Sequence, residues 1–367
     1  MNTEGSTVNP TTTLNRAGQS LWLDNITRDL LSSGTLDRYI AELSVTGLTS
    51  NPTIFEKAIS GSDAYDEPIR RGLEAGLTGE DLFFDLALND LREAADAFGP
   101  THERTSGVDG WVSLEVSPLL ARDAEATVAQ AIRLHKMAER PNLYIKIPGT
   151  PEGLPAIEEA IFSGVPVNVT LLFTSAHYLA QAEAYMRGLE RRIDAGLDAS
   201  VASVASVFMS RWDAAVAGDV PVELHNKLGL AAGTDSYVAY RELLESDRWQ
   251  RLANEGARPQ RLLFASTGTK DPAESDVLYI TGLAAPQTVN TMPEGTLLAF
   301  ADHGSLEGLL PADGGSSKQV LESFAKVGVD VDALGQRLQD DGADAFVKSW
   351  GQLLERLEAK SRELASS

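Results

Sequence analysis

Eight short runs of apolar and β-branched residues, interleaved with longer amphipathic stretches, constrain this chain more than any other feature of its sequence. The runs fall at 21–24, 45–50, 111–116, 143–147, 165–173, 201–208, 262–266 and 277–281. Helical periodicity lies between or after them, most clearly at 81–98, 124–138, 175–193, 236–245 and 333–364. Strand alternating with helix predicts a parallel sheet covered by helices. Repeated eight times, the unit predicts a (β/α)8 TIM barrel, and periodicity alone leaves an open doubly wound sheet as the alternative. The stretches 51–110 and 209–261 are long for single connections, so extra helices are expected between the second and third strands and between the sixth and seventh. Residues 304–317 read as a loop, followed by a helical C-terminal tail. No internal repeat or Pro/Gly/Ser-rich linker divides the chain, so 19–367 reads as one barrel domain. Residues 1–18, rich in Thr, Asn and Gly without apolar periodicity, read as a flexible tail.

Composition narrows the chemistry. With no cysteine among 367 residues, the chain has no disulfide, no thiolate metal site and no cysteine nucleophile, which fits a reducing cytoplasm. Against 31 basic residues stand 53 acidic ones, a net charge of −22 that repels nucleic acid and anionic membranes. An anionic substrate therefore requires a local basic pocket. The apolar runs are strand-sized, well short of the roughly 20 residues of a membrane helix. The histidines at 102, 135, 177, 225 and 303 lack the paired spacing of a metal site and read as surface or capping residues. Neither a phosphate-binding G-x-x-x-x-G-K-[ST] loop nor a G-x-S-x-G elbow is present. No metal and no cofactor is expected.

Lys146 interrupts Leu-Tyr-Ile-Lys-Ile-Pro, a strand that a parallel sheet would cover on both faces. Such a lysine is either a structural partner of a buried carboxylate or a nucleophile, because desolvation favours the neutral amine that forms a Schiff base. Other polar residues sit at the C-terminal ends of the runs: Asp24, Asn51, Glu115, Asn168 with Thr170, and Ser206. Any one of these alone is ordinarily a cap or a satisfied core group. Asn168 and Thr170 are two apart and share a face, as do Tyr144 and Lys146, and in a barrel such positions converge on the mouth where catalysis is housed. Trp22 and Trp111 are expected to fill the barrel rather than stack on a ligand.

The stretches carrying these residues resemble the transaldolase family. Gly47-Leu-Thr-Ser-Asn-Pro-Thr-Ile-Phe55 is similar to its N-terminal signature, and Tyr144-Ile-Lys-Ile-Pro-Gly-Thr-Pro-Glu-Gly153 to its Schiff-base segment. Trp22-Leu-Asp24, Ser113-Leu-Glu115, Asn168-Val-Thr170 and Ser206-Val-Phe-Met-Ser-Arg211 match in the same order. The resemblance implies an enzyme of the pentose phosphate pathway in which Lys146 attacks the C2 carbonyl of a ketose phosphate. Glu115 would relay protons through a water held by Thr170, and Asp24 would take the proton of the C4 hydroxyl. Asn51, Asn168 and Ser206 would hold the retained dihydroxyacetone unit, and Arg211 would bind phosphate. It also implies sugar phosphate partners and a monomer or homodimer. One departure stands out: many family members carry a second arginine just after the seventh strand, where this chain reads Ala265-Ser-Thr-Gly-Thr-Lys-Asp271. Lys270 is expected to substitute, unless it is a solvated loop charge. Two rival readings are a free aldolase, whose shorter representatives have tyrosine where this chain has Phe208, and a catalytically silent sugar-phosphate-binding barrel.

Overall fold

A computed structural model describes residues 9–365. Eight parallel strands close on themselves in sequence order: β1 (Gln19–Asp24), β2 (Val45–Thr49), β3 (Trp111–Glu115), β4 (Leu143–Pro148), β5 (Val167–Leu172), β6 (Ser203–Phe208), β7 (Arg261–Ala265) and β8 (Thr288–Met292). The barrel expected from the alternation is therefore realised, and closure removes the exposed edges an open sheet would have.

Alternation within each strand divides the apolar residues into two cores. Leu21, Leu23, Val112, Leu114, Ile145, Ile147, Val167 and Val169 face outward and are sealed by helices. Trp22, Trp111, Tyr144, Val204, Leu263 and Val289 face inward and fill the barrel, as expected for the two tryptophans. Trp111 and Tyr144 stack with ring centroids 4.0 Å apart. Gly47 on β2 makes this plug possible, because a Cβ there would lie 2.7 Å from the Trp22 indole nitrogen.

The long connections carry the extra helices. Pro52–Gly61, Asp66–Glu74 and Gly79–Arg104 lie between β2 and β3, while Ser210–Val216, Leu228–Glu245 and Asp247–Asn254 lie between β6 and β7. The C-terminal helix, Val331–Ala365, has 35 residues and extends ~50 Å at 1.5 Å per residue. Its buried side, including Leu334, Leu338, Gly342, Trp350, Leu353 and Leu357, packs chiefly on the helices of the β2–β3 connection and reaches the end of β5. It is anchored far along by Trp350 Nε1 donating to Glu80 (2.8 Å) and by Lys360 pairing with Asp66 (2.8 Å).

Two expectations are corrected. The run 277–281 is not the eighth strand; Leu278–Thr281 is a short helix whose Tyr279 hydroxyl donates to Asp213 (2.6 Å). The strand is Thr288–Met292, fully buried despite two threonines and an asparagine. Its two threonine hydroxyls find partners, Thr288 Oγ1 on the Ala285 carbonyl (2.7 Å) and Thr291 Oγ1 with Thr49 Oγ1 (2.7 Å), which lowers the cost of burying them although the composition looks like a loop. The expected tail of residues 1–18 also differs over its second half. Asn9 caps a helix at Pro10–Arg16 by accepting from Thr11 N, and Leu14 is fully buried, so one apolar residue suffices to dock the turn. Residues 1–8 lie outside the described part.

Candidate active site

Strand register brings the candidate residues together at the C-terminal ends of neighbouring strands. Asp24 pairs with Thr49, Glu115 with Lys146, Lys146 with Asn168, and Pro148 with Thr170. Neighbouring strands lie about 4.8 Å apart, so an inward side chain at each registered position reaches the next.

Lys146 is 6% exposed, and its Nζ donates to the Ser50 carbonyl at 3.0 Å. The Glu115 carboxylate lies 3.7 Å from the same nitrogen, an ion pair longer than a hydrogen bond. Neither Glu115 oxygen has a hydrogen-bond partner within the protein, and the buried Thr170 hydroxyl has none either. Burial pushes the Glu115 carboxyl above the usual range, opposed by the Lys146 charge and reinforced by Asp24. Asp24 is pushed up for the same first reason, and Lys146, a hydrogen bond from Thr49 and the charge of Lys270 pull the other way. Two reluctant carboxylates thus flank one buried amine.

A second chain of hydrogen bonds runs over β6, β5 and β3, beside Lys146. Ser206 Oγ donates to Asn168 Oδ1 (2.7 Å), and Asn168 Nδ2 donates to Ser113 Oγ (3.2 Å). Asn51 has a further task as the cap of helix Pro52–Gly61, where its Oδ1 accepts from Ile54 N at 3.0 Å. The capping oxygen is committed and the NH2 end is not.

Arg211 stands at the start of helix Ser210–Val216, with its guanidinium carbon 5.1 Å from the centroid of the Phe208 ring. Burial lowers its pKa, and Asp341 on the C-terminal helix opposes that shift. Gly342 makes room for it, since a Cβ there would meet Arg211 Nη1 at 2.9 Å. Lys270 is exposed on the loop after β7 and lines a cleft with Asn226, Asp271 and Tyr279. The barrel mouth therefore gathers Asp24, Glu115, Lys146, Asn168, Thr170 and Ser206, and Lys270 sits at its edge.

Sequence reading passed over several participants. Thr49 donates to Asp24 (2.7 Å) and shares a hydrogen bond with Thr291 (2.7 Å). Thr49 and Ser50 lie inside the quoted Gly-Leu-Thr-Ser-Asn-Pro motif, where inward parity with Gly47 could have singled out Thr49. Thr291 had no such signal, because its strand was not recognised. Of the histidines, His177 Nδ1 accepts from Phe173 N (3.3 Å), a local cap. Among the described residues, no group of three or more His, Asp or Glu side chains is gathered as a metal site. None of their helices is long and apolar enough to cross a membrane.

Residues 21–357 match the family model described as transaldolase/fructose-6-phosphate aldolase. The chain is 47% identical over 357 residues to a transaldolase of Thermobifida fusca, covering 95% of this chain and 97% of that one. A Frankia alni transaldolase is 45% identical over 361 residues, covering 94% and 96% respectively. One from Trichodesmium erythraeum is 40% identical over 365 residues, covering 95% and 96%.

Proposed function

The chain belongs to the transaldolase/fructose-6-phosphate aldolase family, and on that premise we propose that Lys146 is the Schiff-base nucleophile of its reaction. The enzyme is a transferase of the pentose phosphate pathway: it takes a dihydroxyacetone unit from sedoheptulose 7-phosphate, leaving erythrose 4-phosphate, and gives it to glyceraldehyde 3-phosphate, forming fructose 6-phosphate. The observation that carries the Lys146 assignment is a buried amine 3.7 Å from the buried Glu115 carboxylate, with the charge of Lys146 also acting on the partly buried Asp24.

In this reading Lys146 attacks the C2 carbonyl of the ketose, and Glu115 relays protons as the carbinolamine loses water to an iminium ion. Thr170 orients the water that carries them. Asp24 then takes the C4 hydroxyl proton, the C3–C4 bond breaks, and its electron pair passes to the iminium as an enamine while the aldose leaves. A carboxyl whose pKa is raised toward neutrality serves such exchange better than a fully solvated one. The incoming aldehyde reverses these steps. Asn51, Asn168 and Ser206 hold the retained hydroxyls through donors and acceptors already arrayed at the strand ends. Arg211 binds phosphate, as its planar fork suits, and Lys270 adds a second positive charge.

Transfer is favoured over release by the Phe208 ring, buried beside Phe173 with centroids 5.6 Å apart. Phenylalanine offers no proton to the enamine and keeps water from it. The site takes every residue from one chain, so a monomer or a homodimer serves equally, and the cytoplasm is its proposed compartment.

Reduction with borohydride in the presence of fructose 6-phosphate tests the assignment. A three-carbon adduct on the peptide containing Lys146, with loss of activity, is expected. Full activity with no adduct would sink the Schiff-base reading.

A further inference from the structure

We propose that Gln339, on the C-terminal helix, is a positioning residue that sets the aim of Thr170. The inference rests on the reading in which Thr170 serves Schiff-base formation.

The Thr170 hydroxyl has no partner in the protein, so its direction is set by the backbone that carries it. That backbone is unusual. Leu171 adopts φ +60°, the left-handed region that branched residues avoid, and the β5–β6 register breaks between Val169 and Leu172. On the β6 side this peptide therefore leaves the ordinary ladder. Two bonds hold it instead: on the β4 side Gly149 N donates to the Thr170 carbonyl (2.8 Å), and from the C-terminal helix Gln339 Nε2 donates to the Leu171 carbonyl (2.9 Å). The same Nε2 also donates to the Gly149 carbonyl at 3.2 Å. One amide thus ties together the ends of β4 and β5, the strands bearing Lys146 and Thr170.

The amide orientation is forced. Reversed, its oxygen would face two carbonyl oxygens, whereas as placed the oxygen accepts from Gln336 Nε2 (3.3 Å). Docking a helix does not call for this residue. Gln339 is 0% exposed beside Leu338, where an apolar side chain would bury without needing any hydrogen bond. A buried amide that spends both hydrogens on two loop carbonyls is suited to holding those loops in one conformation.

Rapid-quench borohydride trapping with fructose 6-phosphate provides the test, because it times iminium formation. Gln339→Met, similar in volume but without a donor, is expected to form the iminium about tenfold to a hundredfold more slowly. Its final adduct yield and KM should stay within about threefold of wild type. Trp350→Phe loosens the same helix by deleting its bond to Glu80, and it should leave the trapping rate unchanged. If Gln339→Met does not fold, Gln339→Glu serves, since its carboxyl donates only when protonated: its rate relative to wild type should rise as pH falls. A wild-type rate in Gln339→Met, an equal slowing in Trp350→Phe, or a flat ratio for Gln339→Glu would each overturn the proposal. Thr170→Val keeps the two readings apart. If it traps at the wild-type rate, the role of Thr170 falls; if it is slow while Gln339→Met is not, only the role of Gln339 falls.

Discussion

The two ends of the barrel interior bury carboxylates in opposite ways. At the base, Asp109 accepts from Ser20 Oγ, from Trp22 Nε1 (2.8 Å) and from Gly110 N (3.2 Å), and Arg261 lies 3.5 Å away. At the mouth, Glu115 has one ammonium group at 3.7 Å and no hydrogen bond. Both groups are at most 5% exposed, so burial does not distinguish them. Partners do. Strand β1 shows the contrast within three residues, with Trp22 donating to Asp109 below and Asp24 pushed toward protonation above. The base spends its polar groups on one another and so contributes to stability, whereas the mouth leaves them short of partners, a cost in stability that keeps them available to a substrate.

The sharpest way to break this contrast is Asp24→Asn. It should still give the trapped adduct, because the amine remains, yet turn over about 10² to 10⁴ more slowly through loss of the base. Stability should move the other way. The folded pKa of Asp24 lies above its unfolded value, so the folded state gains from the proton at low pH and loses that advantage as pH rises through the unfolded and then the folded value. The asparagine variant should accordingly be as stable as wild type in acid and more stable at pH 7. Urea unfolding at the two pH values checks this, and a variant less stable at pH 7 would contradict the picture of a strained mouth.

Asp109→Ala is the converse. It leaves the Arg261 guanidinium, 12% exposed, without its carboxylate and the Trp22 indole without an acceptor. A loss of about 3 kcal/mol in unfolding free energy is expected from breaking such a pair, with kcat of the folded enzyme within about twofold of wild type. A fall in kcat without a fall in stability would show that base and mouth are not separate.

The smallest effect is expected at Lys270. Its exposure limits the charge to about 0.2–1 kcal/mol, so Lys270→Gln should lower kcat/KM for glyceraldehyde 3-phosphate by less than about tenfold and leave unphosphorylated glyceraldehyde unaffected. Arg211→Gln, which removes a half-buried fork, should lose more. Equal phosphate preference in Lys270→Gln and wild type would reduce Lys270 to a solvated loop charge.

Much of this was legible in the sequence because it depends on period. Seven of the strands, their alternation with helices and the polar residues at strand ends follow from parity and from where apolar runs stop, and the Lys146 segment follows from a short motif, whereas closure of the sheet does not follow from period. What escaped was decided by contacts between distant segments. Leu278–Thr281 has strand composition yet folds as a helix, since Tyr279 reaches Asp213, 66 residues away. Thr288–Met292 looks like a loop yet closes the barrel between β7 and β1, which supply its backbone partners on both sides. Gln339 looks like any glutamine in a long helix until the chain folds it onto the carbonyls of Gly149 and Leu171. Local pattern determines where a side chain can point, because backbone geometry repeats along the chain. What the side chain meets there, and hence whether a carboxylate is satisfied like Asp109 or left short like Glu115, is set by packing between segments that no local pattern encodes.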